Sequence, residues 1–252
     1  MNINEYLQAI LAAQDLKEDS TELKELQSER AKVEKLIRNK FGSAPIIRYG
    51  GSKAKGTLIK EAYDLDIACY LPSDSDAAGE TLEDIYKNVR DYLAESYYVE
   101  EKTSALRLKA KDPKDYKRDF HIDVVPGRFT DENKADSFIY QKSAEKCRLK
   151  TNLDVHIEHI KDSGVLDAIR LLKLWKARKA LTIKQFVFEL LIIDLLEGMK
   201  SKSLADQLTH VWTKIKESSD PIGVEDPANS NYRHPAAGAA ANLRDHRARP
   251  RL

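Results

Sequence analysis

The sequence predicts a mixed α/β protein in which a small sheet-forming segment is followed by a helical one. Three observations carry this. Apolar residues recur at helical spacing over residues 4–40, short apolar runs separated by turn residues fill Pro45 to Val125, and the helical period returns beyond Leu149. With 42% hydrophobic and 33% charged residues over 252 positions, the chain has enough apolar surface for one large core or two small ones.

In the opening segment Leu7, Ile10 and Leu11, then Leu23, Leu26, Val33 and Ile37, fall on helical faces, with a break expected near Asp19-Ser20-Thr21. Two helices or one kinked helix fit this spacing. Strands are expected at Ile46-Ile47, Leu65 to Leu71, Ala105 to Leu108 and Phe120 to Val125, with a helix from about Thr81 to Ser96 among them. Leu166-Ile169-Leu172-Trp175, Phe186-Leu190-Ile193-Leu196 and Leu204-Leu208-Val211-Ile215 then mark three further helices. Residues 232–252 hold five Arg and one Asp and almost no large aliphatic residue, so they read as a solvated basic tail unable to bury a face, or else as an arm for nucleic acid.

That tail carries +4 of a total of +1, leaving −3 on residues 1–231, so any affinity of the body for nucleotides must be local. No segment approaches the roughly 20 apolar residues that cross a bilayer, and the first residues lack the pattern of a secretory signal. A cytoplasmic protein is expected. Cys69 and Cys147 stand far apart without a CxxC pair, which fits two reduced thiols. His156 and His159, three apart on a helix without an evident third ligand, read as ordinary surface.

The informative stretch is Tyr49-Gly50-Gly51-Ser52-Lys53-Ala54-Lys55-Gly56-Thr57, followed by Tyr63-Asp64-Leu65-Asp66-Ile67-Ala68-Cys69-Tyr70. Small residues after a strand let the backbone approach a phosphate, a helix beginning near Ala54 would aim N–H groups at it, and Ser52 adds a hydroxyl. Asp64 and Asp66, two apart in a strand, share a face, while Leu65, Ile67 and Cys69 take the other. Paired carboxylates at the edge of a core repel unless a cation compensates. Asp123, in Phe120-His121-Ile122-Asp123-Val124-Val125-Pro126, completes a three-carboxylate set if its strand lies beside the first, with Asp119 as the rival of like parity. Oxygen donors of this kind select Mg²⁺ or Mn²⁺, and two such ions suit nucleotidyl transfer. Asp74-Ser75-Asp76 repeats the spacing in a loop and reads as solvated.

Taken together, Gly51-Ser52, Asp64-Leu65-Asp66 and Ile122-Asp123-Val124-Val125-Pro126 resemble the DNA polymerase beta-like nucleotidyltransferases. Within that superfamily the chain is most similar to the bacterial cyclic-oligonucleotide synthases related to cyclic GMP-AMP synthase, and it also resembles oligoadenylate synthetase and archaeal CCA-adding enzymes. Arg170 to Lys176, Phe188-Glu189-Leu190-Leu191 and Asp226-Pro227-Ala228-Asn229 extend the likeness, which runs from about residue 40 to 230. At one position the chain departs: Gln185 precedes Phe186 where oligoadenylate synthetase-like members usually carry Ser.

The resemblance implies a catalytic domain over residues 1–148, a helical domain over 149–231 and the tail beyond, with the active site in a cleft between lobes. It implies that Asp64, Asp66 and Asp123 are catalytic and hold two Mg²⁺ or Mn²⁺ ions, and that Gly51, Ser52, Lys53 and Lys173 bind the nucleotide. Lys55 is a further phosphate candidate with an equally ordinary reading as a solvated face. The implied reaction joins NTPs into a cyclic oligonucleotide messenger for anti-phage defence, releasing pyrophosphate, with an effector protein acting on the product. A template-independent RNA or tRNA nucleotidyltransferase is the alternative, which would need an RNA-binding surface, and an inactive nucleotide-binding module is a third.

Overall fold

The computed structural model describes residues 1–63, 65–112, 122–142, 145, 147–217 and 223–235. Asp64, Asp119 and His121 therefore lie outside the described residues, as do residues 236–252 of the expected tail. The chain divides into two compact units that interleave along the sequence: residues 16–54 and 64–155 form one, and residues 1–15, 55–63 and 156–252 the other.

The first unit is built on a sheet of β1 (Ile46–Tyr49), β2 (Leu65–Leu71), β3 (Tyr97–Glu101), β4 (Leu106–Ala110), β5 (Ile122–Phe129), β6 (Ser137–Tyr140) and β7 (Arg148–Thr151). The strand order is β1-β2-β5-β4-β3, with β6 and β7 continuing from the far part of β5. Among the described strands only β2 and β5 run parallel, and the other pairs of this sheet are antiparallel. Helix α2 (Thr21–Phe41) lies on β2, and α4 (Leu82–Ala94) on β3, β5 and β6. Its neighbour α3 (Gly51–Lys55) is a short turn of helix.

Each helix carries its own start signal. Ser20 caps α2 by accepting from Leu23 N–H, and Thr81 and Asp84 form a reciprocal capping box on α4. Leu23, Leu26, Val33 and Ile37 of α2 are buried, the stripe that the spacing predicts. Leu65 and Ile67, Leu106 and Leu108, and Ile122 and Val124 are all fully buried, so alternate residues of three adjacent strands fill one side of the sheet.

The second unit is helical: α1 (Ile3–Ala13), α6 (Leu166–Arg178), α7 (Gln185–Leu195) and α8 (Leu204–Glu217), with α5 (Leu153–Lys161) joining the two units along the chain. Its core runs from Ile160 through Leu172, Phe188, Leu191 and Ile192 to Val211 and Ile215. The break after α1 separates the two opening helices completely. Helix α1 packs on α6 and α8 and is tied by Asn4, whose side chain accepts from Ala205 N–H at 3.0 Å, whereas α2 belongs to the sheet unit.

Three expectations change. Strands β3, β6 and β7 were not evident as periodic apolar runs, and β7 occupies residues where a helix was expected to begin; the helix starts at Leu153 instead. The tail does not begin at residue 232. Asn229–Pro235 form β9, which pairs with β8 (Gly223–Asp226), because the Asp-Pro-Ala-Asn turn folds the chain back as a hairpin.

Phe188 is 0% exposed at the centre of the helical core. Phe188→Ala is expected to cost about 3–5 kcal/mol, read as a lower denaturant midpoint at unchanged slope.

Candidate active site

Strand β1 ends at Tyr49, whose ring lies under the Arg30 guanidinium at 3.6 Å and whose hydroxyl donates to Glu34. Gly50 N–H then donates to the Asp66 carbonyl at 3.0 Å. A Cβ on Gly50 would lie 3.3 Å from Leu153 Cδ1 and 3.6 Å from Asp66 Cβ, so the turn passes close over Asp66. Gly51 follows with φ +79°, a left-handed conformation that glycine adopts without a Cβ penalty. Ser52 is fully buried beside this turn. The helix expected at Ala54 instead begins at Gly51 and spans five residues, too short for a substantial dipole, so phosphate recognition here rests on local N–H groups and the hydroxyl.

Asp66 is half-buried on β2 and stands in register with Asp123 on β5. Asp123 is in turn in register with Arg107 on β4. Residues opposite one another in adjacent strands share a face, so Asp66, Asp123 and Arg107 form one transverse row, opposite to the fully buried Leu65, Ile122 and Leu108. Arg107 Nε and Nη2 donate to Asp123 Oδ1 and Oδ2, both at 2.8 Å, a two-point clamp. Two carboxylates about 5 Å apart repel by roughly 1–3 kcal/mol over the dielectric range of a protein surface, and the guanidinium offsets this.

Lys53 pairs with Glu18 at 2.8 Å, with Glu18 77% exposed, a contact of little energetic weight that leaves the lysine side chain near solvent. Lys173 belongs to the other unit. It is buried on α6, and its Nζ donates to the Thr57 carbonyl at 3.4 Å.

Lys55 is not a solvated face. Its ammonium lies 2.7 Å from Glu189 Oε2, and Glu189 is 0% exposed on α7. Thr57 Oγ1 and Gln185 Nε2 donate to Glu189 Oε1 at 2.9 and 3.3 Å. Gln185, the residue that precedes Phe186, thus serves this carboxylate. His156 is not ordinary surface either: its Nε2 donates to Asp226 Oδ1 at 2.7 Å, His234 Nε2 donates to Oδ2 at 2.8 Å, and Ala228 N–H donates to Oδ1 at 2.9 Å. An ionised carboxylate only accepts, so both ring Nε2 atoms carry protons. Burial raises the Asp226 pKa, and the hydrogen bonds from His156 and His234 outweigh it, holding the carboxyl well below its usual range.

Among the described residues no group of three or more His, Cys, Asp or Glu is arranged to hold a metal ion. The donors that are described, Asp66 and Asp123, are carboxylates on one face, which fits a hard divalent cation rather than zinc. Burial pushes the Cys69 thiol up to about 12, so it is inert, and Cys147 is exposed.

The sequence reading gave Arg107 no role, and it noted Thr57, His156 and Asp226 without the pairings that Thr57 makes with Glu189 and His156 with Asp226. Arg107 was signalled by a cation inside the alternation Leu106-Arg107-Leu108. Nothing local announced the two pairings.

No protein-family model and no curated protein matches the chain. Solved structures do. The CdnC of E. coli MS115-1, solved with ATP, superimposes with a TM-score of 0.66 at 15% identity, covering 96% of this chain and 88% of that one. The CdnE cyclic dinucleotide synthase of Elizabethkingia meningoseptica, solved with GTP and Apcpp, gives 0.66 at 15% identity over 98% of both chains. This chain has the fold of the cyclic dinucleotide synthases. Vibrio cholerae DncV cyclic AMP-GMP synthase, in complex with nonhydrolyzable GTP, shares it with a TM-score of 0.61 at 17% identity, over 96% of this chain and 76% of that one. The mixed α/β class expected from the motifs is therefore observed, in the fold that these solved structures share. No helix among the described residues is long and apolar enough to cross a membrane.

Glu189→Ala leaves the Lys55 ammonium buried without its carboxylate and is expected to destabilise by about 3–5 kcal/mol, while Lys55→Met/Glu189→Leu recovers most of this in urea unfolding. Asp226 is expected to show a distinct pH signature. Its folded pKa lies below the usual 3.8, so its contribution is fully present above that value and is lost as pH falls through the folded pKa. The stability gap between wild type and Asp226→Asn should accordingly shrink as pH falls below about 4, measured by urea unfolding at each pH.

Proposed function

We propose that this protein is a metal-dependent nucleotidyltransferase that joins NTPs into a cyclic oligonucleotide messenger, with release of pyrophosphate. The observation that carries the reading is the in-register placement of Asp66 and Asp123 on the parallel pair β2–β5, beneath the Gly50–Ser52 turn, in a fold shared with cyclic dinucleotide synthases. Two carboxylates side by side on one partly exposed face repel one another, and a divalent cation held between them removes that repulsion.

Asp64, Asp66 and Asp123 would hold the ions. Two Mg²⁺ or Mn²⁺ ions, when bound, supply charge neutralisation of the pyrophosphate and a lowered pKa for the acceptor hydroxyl. The Gly51 backbone and the buried Ser52 hydroxyl donate to triphosphate oxygens, and Lys53, near solvent, exchanges Glu18 for phosphate. Lys173 is assigned to the triphosphate by its position in the family's helix motif. The acceptor oxygen attacks the α-phosphorus, the bond from that phosphorus to its bridging oxygen breaks, pyrophosphate departs, and the hydroxyl proton passes to water.

A messenger implies a receiving effector. The CdnC of E. coli MS115-1 is also solved as a complex with HORMA-deltaN, at 16% identity and a TM-score of 0.65. We extend the proposal to an anti-phage signalling role with a protein partner, in the cytoplasm where NTPs are abundant.

The test is incubation of the purified chain with all four labelled NTPs and Mg²⁺ or Mn²⁺, followed by phosphatase. A phosphatase-resistant product is expected, and Asp66→Asn should reduce its rate at least about 100-fold while leaving the unfolding free energy within ~1 kcal/mol of wild type. Phosphatase-sensitive products, or incorporation only when tRNA is supplied, would replace this reading with the linear or RNA-directed one, and residual activity above a few per cent in Asp66→Asn would remove the carboxylate assignment.

A further inference from the structure

We propose that Arg107 is a counter-ion exchanged for metal at Asp123: it clamps the carboxylate in the metal-free protein and yields it when a divalent cation binds. The inference rests on the reading of Asp123 as a metal ligand given above.

The register of three strands carries the argument. Asp66, Asp123 and Arg107 occupy successive places in one row, so the guanidinium approaches Asp123 from β4 while Asp66 flanks it from β2. Both Asp123 oxygens are taken by Arg107, at 2.8 Å each. A cation on Asp123 must therefore share or displace at least one of these bonds. The pair is suited to that exchange because it is not sealed: the side chains of Arg107 and Asp123 are 28% and 19% exposed, so a displaced guanidinium reaches water. Both neighbours of Arg107 in sequence, Leu106 and Leu108, are fully buried, which fixes the strand from which it projects. Arg107 is thus a positioning residue. It keeps Asp123 oriented across the row and sets the metal concentration at which the site fills.

The experiment measures Mn²⁺ binding without nucleotide, by the loss of the free-ion electron paramagnetic resonance signal, in wild type, Arg107→Met, Arg107→Lys and Asp123→Asn. Arg107→Met is expected to bind Mn²⁺ about tenfold more tightly than wild type, since a neighbouring positive charge is gone and both oxygens are released. Arg107→Lys, which keeps the charge but loses the fork, should fall between them, and it carries the test if the Met variant does not fold. Asp123→Asn should bind more weakly than wild type. In turnover, Arg107→Met should lower both the Mg²⁺ requirement and kcat, a split that a purely structural residue would not produce. Wild-type binding that depends on Asp123 but is unchanged or weakened in both Arg107 variants overturns the exchange while leaving the metal site standing. Absence of Mn²⁺ binding in wild type and both Arg107 variants overturns the exchange and the metal reading together.

Discussion

The parallel pairing of β2 with β5 is the constraint on which the candidate site depends. Parallel neighbours cannot be joined by a tight turn, so the chain must leave β2, cross the sheet and return. Between them it lays down α4, β3 and β4. That excursion has two consequences: it sets Asp66 directly opposite Asp123, and it places β4 on the far side of β5, where Arg107 meets the same carboxylate. A one-residue slip of β5 would turn Asp123 toward the side filled by Ile122 and Val124, so burial of those residues fixes the register and with it the charge row.

The helical unit solves a related problem differently. Glu189 and Asp226 are both buried carboxylates, and each is surrounded by donors rather than left for an ion: Lys55, Thr57 and Gln185 for the first, His156, His234 and Ala228 N–H for the second. Such networks contribute little net stability against an apolar alternative, yet removing one member is costly. Their effect is positional. Glu189 fixes the segment just after the Gly-Gly-Ser turn to α7, and Asp226 closes the β8–β9 hairpin onto α5.

Structures at 15–17% identity share this fold across 96–98% of the chain, so the backbone arrangement tolerates replacement of most side chains. A fold so permissive does not carry chemistry by itself. The polar residues set on a face whose reverse side is packed are Asp66, Asp123 and Arg107, with the Gly50–Ser52 turn above, and it is on these that the proposed chemistry rests.

Much of this was legible in order along the chain. Helical spacing announced α2, α6, α7 and α8, and the alternation of Asp with Leu65 and Ile67 marked a half-buried strand, because a local period reports which face meets the core. The short strands β3, β6 and β7 were not legible: four or five residues with mixed polarity have no period, and only pairing with neighbours makes them strands. The sequence by itself determined the residue types at the site and their order, since a Gly-Gly-Ser turn and acidic strand positions are local chemistry. Tertiary structure alone decided their company. That Arg107 holds Asp123 from 16 residues away, that Lys55 meets Glu189 across 134 residues and that Asp226 gathers His156 from 70 residues away follow from packing, because charge pairing at such separations is set by which backbone segments the buried apolar faces bring together.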